Sequence, residues 1–123
     1  MNIKVGALDV PVIHKKLDES IWGQYNPYPT PSIWIQEGLE PRHEALTLLH
    51  EIIECVVDTY GLTMSECAIR VLENVLGSIA MENPNEVLRW VSRLSKEQDL
   101  RQGEEGDRAT CSPKKNNPPT TNW

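Results

Sequence analysis

Residues 45–57 form the most apolar stretch of the chain and predict a buried central helix. Apolar side chains occur around most of the circumference of that helix, which is typical of a helix covered on several sides. Pro41 suits the first helical position, where a missing N–H costs no intrahelical hydrogen bond. Gly61 supplies the left-handed residue that ends many helices. We therefore predict a helix over residues 41–60.

Two more helices are predicted downstream. Thr63 opens the second helix, and Glu66 stands three residues further on, which is the spacing of a capping box. The third helix begins with Asn83 as N-cap and Pro84 at the first position. The apolar stripe expected on the second helix comprises Ala68, Ile69, Leu72, Val75, Leu76 and Ile79. The buried face expected on the third comprises Val87, Leu88, Val91 and Leu94.

Residues 1–36 are interpreted as short strands joined by loops. Residues 10–13 form a weak strand candidate, and Pro11, which cannot donate to a ladder, indicates an edge strand. Residues 33–36 form a stronger candidate, rich in β-branched and aromatic side chains. Residues 19–32 are predicted to be a loop whose aromatic side chains either cover the core or form a contact surface.

The composition changes after residue 97. Residues 98–123 are polar and rich in glycine and proline, which predicts a disordered tail. A chain of 123 residues fits one domain. Together these patterns predict an α+β domain over residues 1–97, with a small N-terminal β-sheet packed on three helices.

Charge and composition narrow the classes of partner. The net charge of −6 disfavours binding to nucleic acid and to anionic membrane surfaces, because both attract basic proteins. No stretch approaches the roughly 20 apolar residues of a membrane span, and no secretory signal is predicted at the start. The three cysteines, Cys55, Cys67 and Cys111, form no C-x-x-C pair, which favours a reducing, cytoplasmic location.

Three ionisable residues, His50, Glu51 and Glu54, interrupt the apolar central helix. Burying an unpaired carboxylate costs several kcal/mol, so such groups are normally paired, protonated or bound to metal. His50 and Glu54 are four residues apart and share one face. Glu51 lies about 100° around the helix from His50. Two interpretations stay open: a metal site, or a metal-free cluster in which a protonated His50 pairs with Glu54.

The spacing is related to the H-E-x-x-H arrangement, in which two histidines bind zinc and the glutamate activates water. A carboxylate oxygen also binds zinc, at about 2.0–2.2 Å, so Glu54 can replace the second histidine. The added negative charge weakens the ion as a Lewis acid. Zinc is the expected cofactor, and manganese, a harder ion, is the alternative.

Residues 47–54, Thr-Leu-Leu-His-Glu-Ile-Ile-Glu, resemble the T-L-L-H-E-[IL]-[IL]-H/E signature of small phage-encoded proteins related to ImmA/IrrE-type metallopeptidases. The resemblance extends in order and spacing over residues 2–95. It implies a minimal zincin-like domain located in the host cytoplasm. It also implies a zinc-bound water, with Glu51 as the catalytic general base, attacking a peptide carbonyl.

The same resemblance implies a third metal ligand on the second helix, an acid or a histidine. Glu66 and Glu73 are the candidates, and Glu66 is preferred. The position that aligns with the family's E-x-x-A-N pattern is Arg70 in this chain, which departs from the pattern. Glu66 can instead cap its helix, and Glu73 with Arg70 can instead form a solvated charged face. His43 can approach the site but is expected at the surface near the helix start, Asp58 is expected to be exposed near the helix end, and His14 has no motif around it.

Two functions of different class follow. The first is a zinc peptidase acting on a peptide or protein, such as a host or phage regulator, with His50, Glu54 and Glu66 as metal ligands. This function requires a groove beside strand 33–36, where an extended substrate pairs. The second is a catalytically inactive zincin-like module that binds a partner protein. Its expected contact surface comprises Trp22, Tyr25, Tyr28 and Trp34.

Overall fold

Four short strands form one mixed sheet in the computed structural model, which describes residues 1–97. The strands are β1 (Asn2–Val5), β2 (Leu8–Lys15), β3 (Gly23–Asn26) and β4 (Ser32–Gln36), and their order across the sheet is β1-β2-β4-β3. β1 and β3 pair antiparallel with their neighbours, whereas β2 and β4 run parallel. The strand expected at 33–36 is confirmed. β3 lies in the segment predicted to be a loop, so that part of the prediction was wrong.

Three helices follow the sheet: α1 (Pro41–Thr59), α2 (Glu66–Glu82) and α3 (Pro84–Glu97). The α+β class is therefore confirmed. The chain divides into two units, one comprising residues 1–82 and the other beginning at Asn83. The predicted tail, residues 98–123, and Cys111 lie outside the described residues. Among the described helices, none is long and apolar enough to cross a bilayer.

The placement of β2 corrects the interpretation of Pro11 as a sign of an edge strand. β2 is an internal strand, but its two halves have different partners. Its first half, up to Pro11, pairs with β1, and its second half, from Val12, pairs with β4. Pro11 thus lies where the strand changes partners, and a missing N–H is tolerated there because the ladder to β4 has not yet begun.

The core of the first unit lies between the sheet and α1. Its fully buried members alternate along β2 and β4, so one face of the sheet is covered and the other is open to solvent. α1 contacts β1, β3, β4 and α2, so its predicted central position is confirmed, but only Thr47, Glu51 and Cys55 of this helix are buried. The buried core residues are Val5, Val10, Val12, Ile33, Ile35 and Cys55.

The ends of α1 follow the sequence signals closely. Pro41 is the first helical residue. Gly61 adopts a φ of 62°, and the N–H of Leu62 donates to the carbonyl of Val57 at 2.9 Å. The N–H of Gly61 also donates to the carbonyl of Asp58, at 3.3 Å. This pair of hydrogen bonds is a Schellman motif, which satisfies carbonyls that the helix end would leave unpaired.

The start of α2 differs from the prediction. The hydroxyl of Ser65, not Thr63, accepts the hydrogen bond from a helix N–H, that of Ala68, at 3.1 Å. Glu66 is then the first helical residue instead of the fourth member of a capping box. Because Ser65 caps the helix, the Glu66 carboxylate is available for contacts with α1.

The buried face of α2 is also rotated from the predicted stripe. Of the predicted stripe, Ile69 is buried as expected, whereas Leu72, Val75, Leu76 and Ile79 are exposed; the other buried residue of α2 is Gly77. A Cβ at Gly77 would lie 2.5 Å from Cδ2 of Leu46 on α1. The absence of a side chain there lets the two helices approach closely, with the acidic residues of α2 facing α1.

α3 begins as predicted, with Pro84 as its first residue and the N–H of Val87 donating to the carbonyl of Asn83 at 3.0 Å. Its expected buried face is not confirmed, because Leu88, Val91 and Leu94 are exposed. Helical periodicity identified the apolar side of the helix but not whether anything covers it.

The cap assignment can be tested by replacing Ser65 with alanine. Ser65→Ala leaves the N–H of Ala68 without its side-chain acceptor and is expected to lower the free energy of unfolding by about 1 kcal/mol. Thr63→Ala is the matched control and is expected to change it by less than about half that amount. Urea denaturation measures both. Equal losses for the two variants would contradict the cap at Ser65.

Candidate metal centre

His50 lies at the middle of α1, and carboxylates surround its ring. Its Nε2 lies 3.0 Å from Oε1 of Glu66 and 3.6 Å from Oε1 of Glu54. Its Nδ1 lies 2.8 Å from Oε2 of Glu73. The i,i+4 spacing on α1 brings His50 and Glu54 together, and the approach of α2 adds the other two acids. The residue predicted as the third ligand, Glu66, therefore contacts His50.

Glu51 is buried beneath β3, with 5% of its surface exposed. Its Oε2 has no hydrogen-bond partner among residues 1–97. Burial raises the pKa of Glu51 to about 8, and a hydrogen bond with Glu54 and the charges of Glu54, Glu66 and Glu73 add to the rise. A buried carboxyl oxygen without a hydrogen-bond partner is stabilised by a proton, a cation or a hydrogen-bonding ligand.

Gly23 allows β3 to lie directly against the Glu51 side chain. A Cβ at this position would lie 2.5 Å from Cγ2 of Thr47, 3.2 Å from Cγ of Glu51 and 3.3 Å from the backbone oxygen of Trp34. Because the Trp34 oxygen belongs to the sheet backbone, it has little freedom to move. Sequence reasoning missed Gly23, since only the pairing of β3 with β4 reveals what its missing side chain permits.

A cleft of about 620 Å³ lies over this cluster. One wall is β3 and the loop before it, and the other wall is α2. His50, the four glutamates and Arg70 all line it. β3 is an edge strand, whereas β4 is flanked by β2 and β3. The expectation of a groove beside strand 33–36 is therefore wrong, because the free strand edge near the cleft belongs to β3.

Three side chains satisfy the distance requirement for one shared ion. Ligand atoms of His50, Glu51 and Glu54 all lie within 4.8 Å of one another. Glu66 lies outside this group of three but contacts His50 Nε2. Oxygen and imidazole nitrogen donors of this kind suit zinc, and a carboxylate-rich set also suits manganese. The donor set therefore fits a divalent cation.

The other sequence candidates do not line the cleft, although two of their partners, Trp22 and Tyr25, do. His14 pairs with Glu44, and the ring of His43 stacks on Trp22 with centroids 4.8 Å apart. The exposed Asp58 accepts a hydrogen bond of 2.9 Å from the Tyr25 hydroxyl. The surface positions expected for His43 and Asp58 are confirmed.

The predicted aromatic contact surface is split between the two faces of the sheet. Tyr25 points toward α1, where it reaches Asp58. Trp34 lies between the buried Ile33 and Ile35, so alternation places it on the opposite face, under the Lys15 ammonium at 3.8 Å from the ring centroid. The four aromatic residues therefore do not form one surface.

Comparison of the chain with protein-family models, curated proteins and solved structures gave no match.

The buried carboxyl of Glu51 predicts the pH dependence of the metal-free protein. Its pKa in the folded state, about 8, lies above its ordinary value of 4.5. The stabilisation from the bound proton is fully present below pH 4.5 and is lost as the pH rises through 8. The melting temperature in chelator is expected to fall between pH 5 and pH 9. In Glu51→Gln, an uncharged isostere, this fall is expected to be smaller; an unchanged fall would contradict the assignment.

Proposed function

We propose that this protein is a metal-dependent peptidase, with His50, Glu54 and Glu66 as metal ligands and Glu51 as the general base. The supporting observation is the charge in the cleft. Four carboxylates share it with one imidazole and one guanidinium, that of Arg70. Even with His50 protonated, the carboxylates outnumber the cations, and a divalent cation offsets this excess.

The Arg70 guanidinium alone does not offset the excess of negative charge in the cleft. Its Nε lies 3.9 Å from Oε1 of Glu66, and its side chain is 70% exposed. A pair exposed to this degree contributes little, because water screens it. The carboxylates nearer the floor of the cleft, those of Glu51 and Glu73, are the ones that solvent screens least.

A divalent cation supplies Lewis-acid chemistry, polarising a carbonyl and lowering the pKa of water. Glu51 then takes one proton from the attacking water as its oxygen bonds to the peptide carbonyl carbon. The same carboxyl returns that proton to the departing amine nitrogen as the C–N bond breaks. In the metal-free protein the pKa of Glu51 is raised to about 8, and a bound cation would lower it from that value.

A peptide is the preferred substrate class because the cleft borders a free strand edge. Residues 23–25 of β3 line the cleft, and within residues 1–97 β3 pairs on one side only, with β4. An extended peptide can add to such an edge through main-chain hydrogen bonds. Gly23 keeps this edge close to Glu51, which puts the general base beside the bound backbone.

The test is hydrolysis of fluorescence-quenched peptides of mixed sequence by the zinc-loaded protein. The wild type is expected to cleave, and Glu51→Gln is expected to cleave at least about 100-fold more slowly while binding zinc with unchanged stoichiometry. Glu82→Gln, an exposed acid at the end of α2, is the matched control and is expected to retain wild-type rates.

Two results would contradict the proposal in different ways. Wild-type rates in Glu51→Gln would remove Glu51 as the base, and loss of zinc from that variant would make it a ligand instead. Stoichiometric zinc without hydrolysis of any peptide would favour the catalytically inactive, partner-binding alternative, since a second carboxylate in place of histidine weakens the Lewis acid.

A further inference from the structure

The two nitrogens of the His50 ring face acids with different surroundings. Nε2 faces Glu66 and Glu54, at 3.0 and 3.6 Å, on the side of the ring where the proposed ion lies. Nδ1 faces Glu73, at 2.8 Å, on the other side. A single ion bound through Nε2 is therefore not within reach of the Glu73 oxygen that contacts Nδ1.

Burial distinguishes Glu73 from Glu66. The side chain of Glu73 is 18% exposed and that of His50 is 14% exposed, whereas that of Glu66 is 54% exposed. Water therefore competes weakly for the hydrogen bond between His50 and Glu73. Gly77, one turn beyond Glu73, holds α2 close to Leu46 of α1, so the packing of the two helices keeps this carboxylate in place.

The chemistry of the pair determines where the imidazole proton lies. An ionised carboxylate only accepts hydrogen bonds, and each ring nitrogen of His50 faces one, because Nδ1 faces Glu73 and Nε2 faces Glu66. A cation on the Nε2 side would take the place of a proton there, and the proton donated to Glu73 would stay on Nδ1. Histidines that bind metals are commonly oriented in this way by a carboxylate on the other nitrogen, which also makes the ligating nitrogen more basic.

We propose that Glu73 is a positioning residue, not a metal ligand: it holds His50 as the Nδ1–H tautomer and presents Nε2 to the cation. This inference rests on the proposed function for the presence of a cation. It resolves the choice between Glu66 and Glu73 by giving the two acids different roles on the two sides of one ring.

The test uses the full chain labelled with ¹⁵N-histidine, whose spectrum is simple because the sequence holds three histidines. In the zinc-loaded wild type, we expect the zinc-induced ¹⁵N shift at Nε2 of His50 and a retained, slowly exchanging proton on Nδ1. Glu73→Ala is expected to lose the slow exchange and to bind zinc roughly 10- to 100-fold more weakly.

Two further variants separate hydrogen bonding from charge. Glu73→Gln keeps an oxygen acceptor without the charge and is expected to retain the Nδ1 proton signal and to lose less zinc affinity than Glu73→Ala. Glu82→Ala removes the same charge from the exposed end of α2 and is expected to bind zinc as the wild type does. Equal losses in Glu73→Gln and Glu73→Ala would show a charge effect only and overturn the positioning role.

Other outcomes separate this inference from the proposed function. A zinc-induced shift at Nδ1 of the wild type would show that zinc lies on the Glu73 side of the ring. Glu73 would then be a ligand, so the inference would be overturned while the metal site remained. This measurement uses the wild type alone and does not depend on whether a variant folds. If zinc does not bind at all, the proposed function fails. The tautomer is then read in the metal-free protein at a pH where His50 is neutral. A proton on Nδ1 that depends on Glu73 supports the positioning role, and a proton on Nε2 overturns it.

Discussion

Four carboxylates converge on one imidazole in a cleft where they lose part of their hydration. Glu51 and Glu54 come from α1, and Glu66 and Glu73 come from α2. Like charges at this distance repel one another and weaken the packing of the two helices unless a proton or a cation compensates. Burial raises the pKa of Glu51 to about 8, and the charges of Glu54, Glu66 and Glu73 add to the rise. We therefore expect the stability of the fold and the proposed chemistry of the cleft to depend on the same compensating charge.

Small residues make this convergence geometrically feasible. Gly23 lets β3 lie against Glu51, and Gly77 lets α2 lie against Leu46. Larger side chains at these two positions would move the walls of the cleft away from α1 and would separate the acids from His50. The cap at Ser65 has a related consequence, because it leaves the first carboxylate of α2, that of Glu66, directed at the ring.

The sequence predicted the features whose causes are local. The limits of α1 follow from Pro41 and Gly61, and the grouping of His50 with Glu54 follows from helical spacing. Three features depend on packing and were not recoverable. β3 lacks apolar alternation and forms a strand because β4 pairs with it. The rotation of α2 depends on Gly77. The choice between Thr63 and Ser65 as cap depends on where the helix begins, since both residue types suit that position.

The roles of Glu66 and Glu73 also depend on packing and were not recoverable from the sequence. Their spacing of seven residues puts them on one face of α2, but it does not indicate which nitrogen of His50 each one faces.

We propose that a divalent cation compensates the acids around His50. Elemental analysis of protein purified without added metal, with His50→Ala measured beside the wild type, tests this proposal. We expect one equivalent of zinc or manganese per wild-type chain and none in the variant. Wild-type protein that carries no metal, and whose melting temperature does not rise when micromolar zinc or manganese is added, would contradict it.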